Sequence, residues 1–99
     1  MSDYGNTFYR FLEDFGRTLS RKTILLVLGD ARNNRLDPLV WALEELAGRA
    51  KEVIWLNPEE KERWDQDDSV MSAYAWSCRA VLECGNLEQL SRAVRLISR

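Results

Sequence analysis

A single carboxylate, Asp30, follows a run of apolar or β-branched residues, Thr23 to Leu28, and one glycine, Gly29. Ala31-Arg32-Asn33-Asn34 comes directly after it. A run that is apolar on both faces reads as a strand of a parallel sheet with helices on each side. Open α/β sheets bind ligands just beyond the carboxyl ends of such strands. Carboxylate oxygens there suit a hard divalent cation, so Asp30 is a candidate metal ligand. Arg32, Asn33 and Asn34 surround the same crevice and are candidates for contact with an acidic partner. The same residue types also shape turns through side-chain to backbone bonds. Both readings stand at this point.

Other chemistries find less support. Asp30 as a phosphoryl-accepting nucleophile would need more acidic groups for Mg²⁺ and a lysine near the phosphate. The second acid of an Asp-x-Asp motif would fall at Arg32, and no complementary acidic pair precedes the strand. Cys78 and Cys84 do not make a disulfide framework, and a chain without histidine cannot complete a usual zinc set. Both cysteines read as small core residues. Asp65-Gln66-Asp67-Asp68 lacks the glycine and distal glutamate of a calcium loop and reads as a solvated linker.

The elements that must position these residues follow from spacing. Phe8, Phe11, Leu12, Phe15 and Leu19 recur at helical intervals, which predicts a helix from about Thr7 to Leu19 with the three phenylalanines in one buried stripe. The strand Thr23–Gly29 comes next. Asp37-Pro38 then marks a capped helix start, with Leu39, Leu43, Leu46, Ala47 and Ala50 on one face and cations at its end. Val53–Leu56 is a second strand, and Asn57-Pro58-Glu59-Glu60 opens a short helix to about Trp64. Ser69 is expected to cap a stretch from Met71 to about Cys78. Ala80–Cys84 is the third strand, and Gly85 closes it. Asn86 and Gln89 make a capping box for a last helix whose stripe of Leu87, Leu90, Val94 and Ile97 should be buried. Trp41 and Trp55 read as packing groups. Trp64 and Trp76 are better placed for a partner surface, although core remains the safer reading of Trp76.

Strands separated by helical crossovers imply an α/β fold: a three-stranded parallel sheet in sequential order with flanking helices. The strand Thr23–Leu28 then poses a problem, because it has an interior composition and an edge position. Nothing obvious in it blunts pairing with other chains. Either another chain covers it or upstream residues supply its neighbour, and the sequence reads as the carboxyl-terminal half of a doubly wound domain. The isolated chain is expected to self-associate through this strand.

Bulk properties agree with one small domain, or a piece of a larger one, over residues 1–99. The net charge of −2 comes with interspersed signs and no basic patch, so nucleic-acid binding is disfavoured. No apolar stretch approaches the roughly 20 residues that cross a bilayer, and the amino end lacks signal-peptide character. A cytoplasmic setting fits these features.

Leu28-Gly29-Asp30-Ala31-Arg32-Asn33-Asn34, then Asp37-Pro38, Trp55-Leu56-Asn57-Pro58-Glu59, Tyr74 and Ala80-Val81-Leu82-Glu83-Cys84-Gly85-Asn86-Leu87 together resemble the end of the CoxE-like von Willebrand factor A (VWA) domain family. The likeness runs over nearly the whole chain, in order. It implies a three-layer, doubly wound, Rossmann-like fold. It also implies a metal-ion-dependent adhesion site for Mg²⁺ or Mn²⁺, in which Asp30 looks like the acidic ligand at the end of the fourth strand. Ser2 stands where the family's Gly-Thr-x-x-Gly places its threonine. The family's Asp-x-Ser-x-Ser motif is absent from this sequence, so any Mg²⁺ should bind weakly. The resemblance further implies a non-enzymatic protein-interaction module that works with a MoxR-type AAA+ ATPase in maturing a client metalloenzyme, such as a molybdenum-containing carbon monoxide dehydrogenase. A truncated domain without independent activity is the alternative reading.

Overall fold

The computed structural model describes residues 3–98. Helix α1 (Tyr4–Phe15) leads through a 3₁₀ turn (Gly16–Thr18) into β1 (Ile24–Leu28). Next come α2 (Val40–Arg49), β2 (Glu52–Asn57), α3 (Met71–Ala75), β3 (Ala80–Glu83) and α4 (Leu87–Ile97). The strands form one parallel sheet in the order β1-β2-β3, as expected from the alternation of strands and helices. Leu26 of β1 lies beside Ile54 of β2, and Leu56 lies beside Leu82 of β3.

Helices cover the two faces of the sheet very unequally. One face carries Leu25, Val27, Val53, Trp55 and Val81, packed against α1, α2 and α3 through Phe8, Leu43, Leu46, Met71 and Tyr74. The indole of Trp55 is fully buried and stacks on Tyr74, with ring centroids 5.2 Å apart and an interplanar angle of 18°. Phe8 meets Tyr74 edge-on at 5.2 Å. Such aromatic pairs add about 0.5–1.5 kcal/mol beyond their buried area. The other face buries only Ile54, Leu56 and Ala93 in its centre, with Ile24, Leu82, Cys84 and Ile97 around them.

Several sequence expectations need correction. Helix α1 starts at Tyr4, because the Asp3 carboxylate caps it by accepting from Asn6 N–H at 3.1 Å. Phe15 leaves the aromatic stripe and is 51 % exposed, since the helix tightens to 3₁₀ at Gly16. Helix α2 begins at Val40, two residues after Pro38, because Leu39 adopts a left-handed conformation. Asp37 instead accepts a local bond from Leu39 N–H at 3.0 Å. The helix expected after Asn57-Pro58 is a single 3₁₀ turn, Lys61–Arg63. Helix α3 stops at Ala75, and Ser69 does not cap it.

Two corrections bear on function. Strand β1 is not covered on both faces: Leu26 is 44 % and Leu28 71 % exposed. The α4 stripe is not buried either, since Leu87, Leu90 and Val94 are exposed and only Ile97 keeps partial cover. The interior strand of this sheet is β2, buried from Val53 through Asn57.

Candidate functional site

Gly29 ends β1 by donating its N–H to Leu56 O at 3.1 Å and accepting from the Trp55 indole at 2.8 Å. A side chain here would collide with the Tyr4 hydroxyl, which lies against the glycine. Close approach therefore requires glycine at this point. The chain then turns sharply. Ala31, Asn34 and Arg35 all have positive φ, between 52° and 60°, so the segment doubles back through conformations that L-residues avoid.

Asp30 sits at the carboxyl end of β1, partly buried. Its Oδ1 accepts from Arg32 N–H at 2.9 Å and from the Tyr4 hydroxyl at 3.3 Å. The turn-shaping role and the rim position are therefore both present in one residue. Burial, with the Asp30 charge second, pushes the Tyr4 phenol above its ordinary value. Tyr4 carried no signal in the sequence beyond its type. Its distance of 26 positions from Asp30 hid the contact.

Arg32 is the organising cation. Its guanidinium forks onto Glu59, with Nε and Nη2 each 2.8 Å from a carboxylate oxygen, and Nη1 reaches Asp68 at 3.2 Å and Gln66 O at 3.1 Å. Bidentate arginine–carboxylate pairing is directional and about twice as strong as a neutral hydrogen bond. These bonds hold the guanidinium above its ordinary pKa. Desolvation pulls the Asp68 carboxyl upward, but bonds from Arg32 and the Asn34 N–H outweigh it and hold the group below the usual range. The stretch Asp65–Asp68 is thus not a free acidic linker. Asp68 ties down the β1 exit loop, and Asp65 accepts from Ser72 N–H at 2.8 Å to cap α3. Ser69 Oγ accepts from Asp65 N–H at 3.2 Å, which completes that turn.

Asn33 lies inside the protein, with no exposed surface. Its Oδ1 accepts from Tyr4 N–H at 2.6 Å and its Nδ2 donates to Leu36 O at 2.9 Å. Its side chain therefore joins the start of α1 to the loop and does not itself reach a partner. Asn34 is exposed and donates its backbone N–H to Asp68 at 3.1 Å. Arg35 and Leu36 beside it are also exposed. Ser2, the other candidate metal ligand, lies outside the described residues.

Asn57 holds the corresponding place at the end of β2. It is fully buried, its Oδ1 accepts from Glu59 N–H at 2.9 Å, and its Nδ2 faces the Met71 sulfur at 3.3 Å. That turn aims Glu59 at Arg32, so the ends of β1 and β2 are welded through one ion pair. Among the described residues, no group of three or more acidic, cysteine or histidine side chains converges on a point. Asp30 brings one carboxylate, half engaged, with a cation two residues away. Among the described residues no further acidic side chain joins it, so this donor set does not make a complete octahedral Mg²⁺ site. No helix among the described residues is long and apolar enough to cross a membrane.

A family model described as VWA domain containing CoxE-like protein matches residues 1–93. No curated protein and no solved structure matches the chain.

Proposed function

The chain belongs to the family of CoxE-like proteins that contain a VWA domain, and on that premise we propose that it is a protein-interaction module. Its docking surface is the rim at the carboxyl ends of β1 and β2. The family match over residues 1–93, with Asp30 on a locked loop at that rim, carries this reading. Arg32 and Asn33 act from within by fixing the loop's shape. Asn34, Arg35 and Leu36 offer the exposed face. Preorganising a loop lowers the ordering cost of binding.

The partner we propose is a MoxR-type AAA+ ATPase, with a metalloenzyme as the client of the pair. Binding, not catalysis, suits a site whose one carboxylate is half engaged in loop geometry. Mg²⁺ or Mn²⁺ bound at Asp30 would be held weakly, because this chain supplies one carboxylate position. Calorimetry is expected to give no micromolar Mg²⁺ binding; micromolar heats abolished by Asp30→Ala would refute the weak-site reading. In a pull-down with the purified ATPase, Arg35→Glu is expected to lower capture of the partner about tenfold or more, as for an interface hot spot. Undiminished capture by Arg35→Glu together with Leu36→Ser would remove the rim from the interface.

A further inference from the structure

Charges that alternate in sign along the sequence are sorted by the fold to opposite ends of the sheet. With parallel strands and helical crossovers, every helix-to-strand connection lies at the amino ends of the strands. The three connections there, 16–23, 50–51 and 76–79, hold five cations and no carboxylate. Those at the carboxyl ends, 29–39, 58–70 and 84–86, hold eight carboxylates and four cations. The basic patch that the sequence does not show is thus built by the topology.

Backbone bonds bring the basic turns side by side. Lys51 N–H donates to Thr23 O at 2.8 Å, and Arg79 N–H donates to Val53 O at 2.7 Å. Lys22 adjoins the first of these contacts, so Lys22, Lys51 and Arg79 mark the beginnings of three neighbouring strands. Arg17, Lys22 and Lys51 are exposed, and among the described residues their side chains have no hydrogen-bond or ion-pair partner. Arg79 has a side chain 73 % exposed and meets Glu52 loosely, at 3.7 Å. Arg21 spends one donor on the Ala50 carbonyl at 3.2 Å. Glu13 and Asp14 stand just before these turns, at the end of α1. A helix dipole accounts for a cation in a last helical turn, as at Arg49. It does not account for Lys22 or Arg79, which lie beyond the helices at the entrances to β1 and β3. Trp76 shares the turn of Arg79 and is 90 % exposed. Among the described residues its ring meets no other ring and its indole N–H has no acceptor.

We propose that this end of the protein docks reversibly on an anionic phospholipid surface, with the cations among the headgroups and Trp76 at headgroup level. Tryptophan favours that depth because its ring is apolar and its N–H is polar. An anionic leaflet attracts cations one by one and without fixed geometry, which suits long side chains on open turns. The same features fit other polyanions less well. Single-stranded nucleic acid asks for successive aromatic platforms along a basic groove, and an acidic protein asks for a packed apolar centre. Here one bare indole stands among loose cations. The acidic rim is repelled by the same lipid, so the charge separation turns the rim away from the surface. This inference goes beyond the rim reading and does not rest on it.

Co-sedimentation of the whole 99-residue chain with vesicles tests the proposal. Binding is expected to vesicles of phosphatidylserine and phosphatidylcholine in equal parts, and not to phosphatidylcholine alone. It should weaken at least severalfold between about 0.01 M and about 0.15 M salt, as the Debye length falls from about 30 Å to about 8 Å. Lys22→Gln with Lys51→Gln is expected to lower the partition coefficient roughly thirtyfold, about fivefold for each cation. Trp76→Ser should weaken binding severalfold and abolish the blue shift of tryptophan emission that the vesicles produce. Lys61→Gln with Arg63→Gln removes as many cations from the opposite end and should leave binding unchanged. All these positions are exposed, and circular dichroism confirms that each variant is folded. Equal binding to both kinds of vesicle, no binding at low salt, or indifference to Lys22→Gln with Lys51→Gln would overturn the proposal. So would binding to a single-stranded oligonucleotide or to polyglutamate at a salt concentration that leaves the vesicles unbound. Capture of the ATPase by the rim is measured without lipid, so either reading can fail while the other stands.

Discussion

The two faces of this sheet are built from the same strands, yet they serve opposite ends. On one, three helices pack over an aromatic centre of Trp55, Tyr74 and Phe8 that is buried from water. On the other, a single helix rests on the sheet through Ala93 and Ile97 and leaves six apolar side chains of β1 and α4 open. The difference teaches that burial is concentrated on one face of the sheet. The thick face holds the monomer together and fixes the rim loop through Tyr4. The thin face leaves apolar side chains exposed, the kind of surface that marks interaction sites when it is contiguous.

The strongest way to break this division is at Trp55. Trp55→Ala is expected to cost about 3–5 kcal/mol, as for other fully buried aromatics, and to unfold most of the chain. A urea titration followed by circular dichroism measures it; a loss comparable to that of a surface substitution would show that the thick face is not the source of stability.

Asn33→Ala comes next. It strands the Tyr4 N–H and the Leu36 carbonyl, so a loss of about 1–3 kcal/mol is expected. The same titration checks it, and Asn33→Asp should recover part of the loss because it restores the acceptor for Tyr4.

A third test uses pH. Burial pushes the Cys78 thiol up to about 11 from an ordinary 9.0. The folded state thus holds its proton more tightly than the unfolded chain. The contribution is fully present below pH 9.0 and is lost as pH rises toward about 11. Stability should fall across that alkaline window, and Cys78→Ala should flatten the slope. An unchanged slope in the variant would assign it to other groups, Tyr4 and Tyr74 among them.

The smallest effect is the sharpest discriminator. Leu28→Gln, on the thin face, is expected to change monomer stability by no more than about 0.5 kcal/mol, as surface substitutions do. A loss of several times that size, measured on dilute protein, would mean that the thin face also stabilises the single copy.

Much of the architecture was legible in local spacing. The strands Val53–Leu56 and Ala80–Cys84 emerge within a residue of their observed bounds, because short apolar runs closed by turn residues leave little freedom. The Asn86 cap was readable because donor and acceptor are three positions apart: the side chain accepts from Gln89 N–H at 2.9 Å. Gln89 nevertheless reaches past Asn86 to Gly85 N–H, a detail that depends on the close approach of Pro58. The fate of the α4 stripe was not legible, since periodicity tells that a face is apolar and not what covers it. The site was half legible. Asp30 stands out by its place after a strand, but Arg32 meets Asp68 across 36 positions and Tyr4 meets Asn33 across 29. Such pairings are written only in the folded path, and they turn candidate contact residues into the loop's internal braces.

Strand order follows chain order, from β1 to β2 to β3. Each strand therefore docks beside one that has already been made, and no gap is left for a later segment to thread. Pairings between successive elements keep loop-closure costs low, which favours rapid folding for a parallel sheet. During synthesis the chain can fold in step with its emergence. Of the described elements, the three strands emerge before α4, which arrives last.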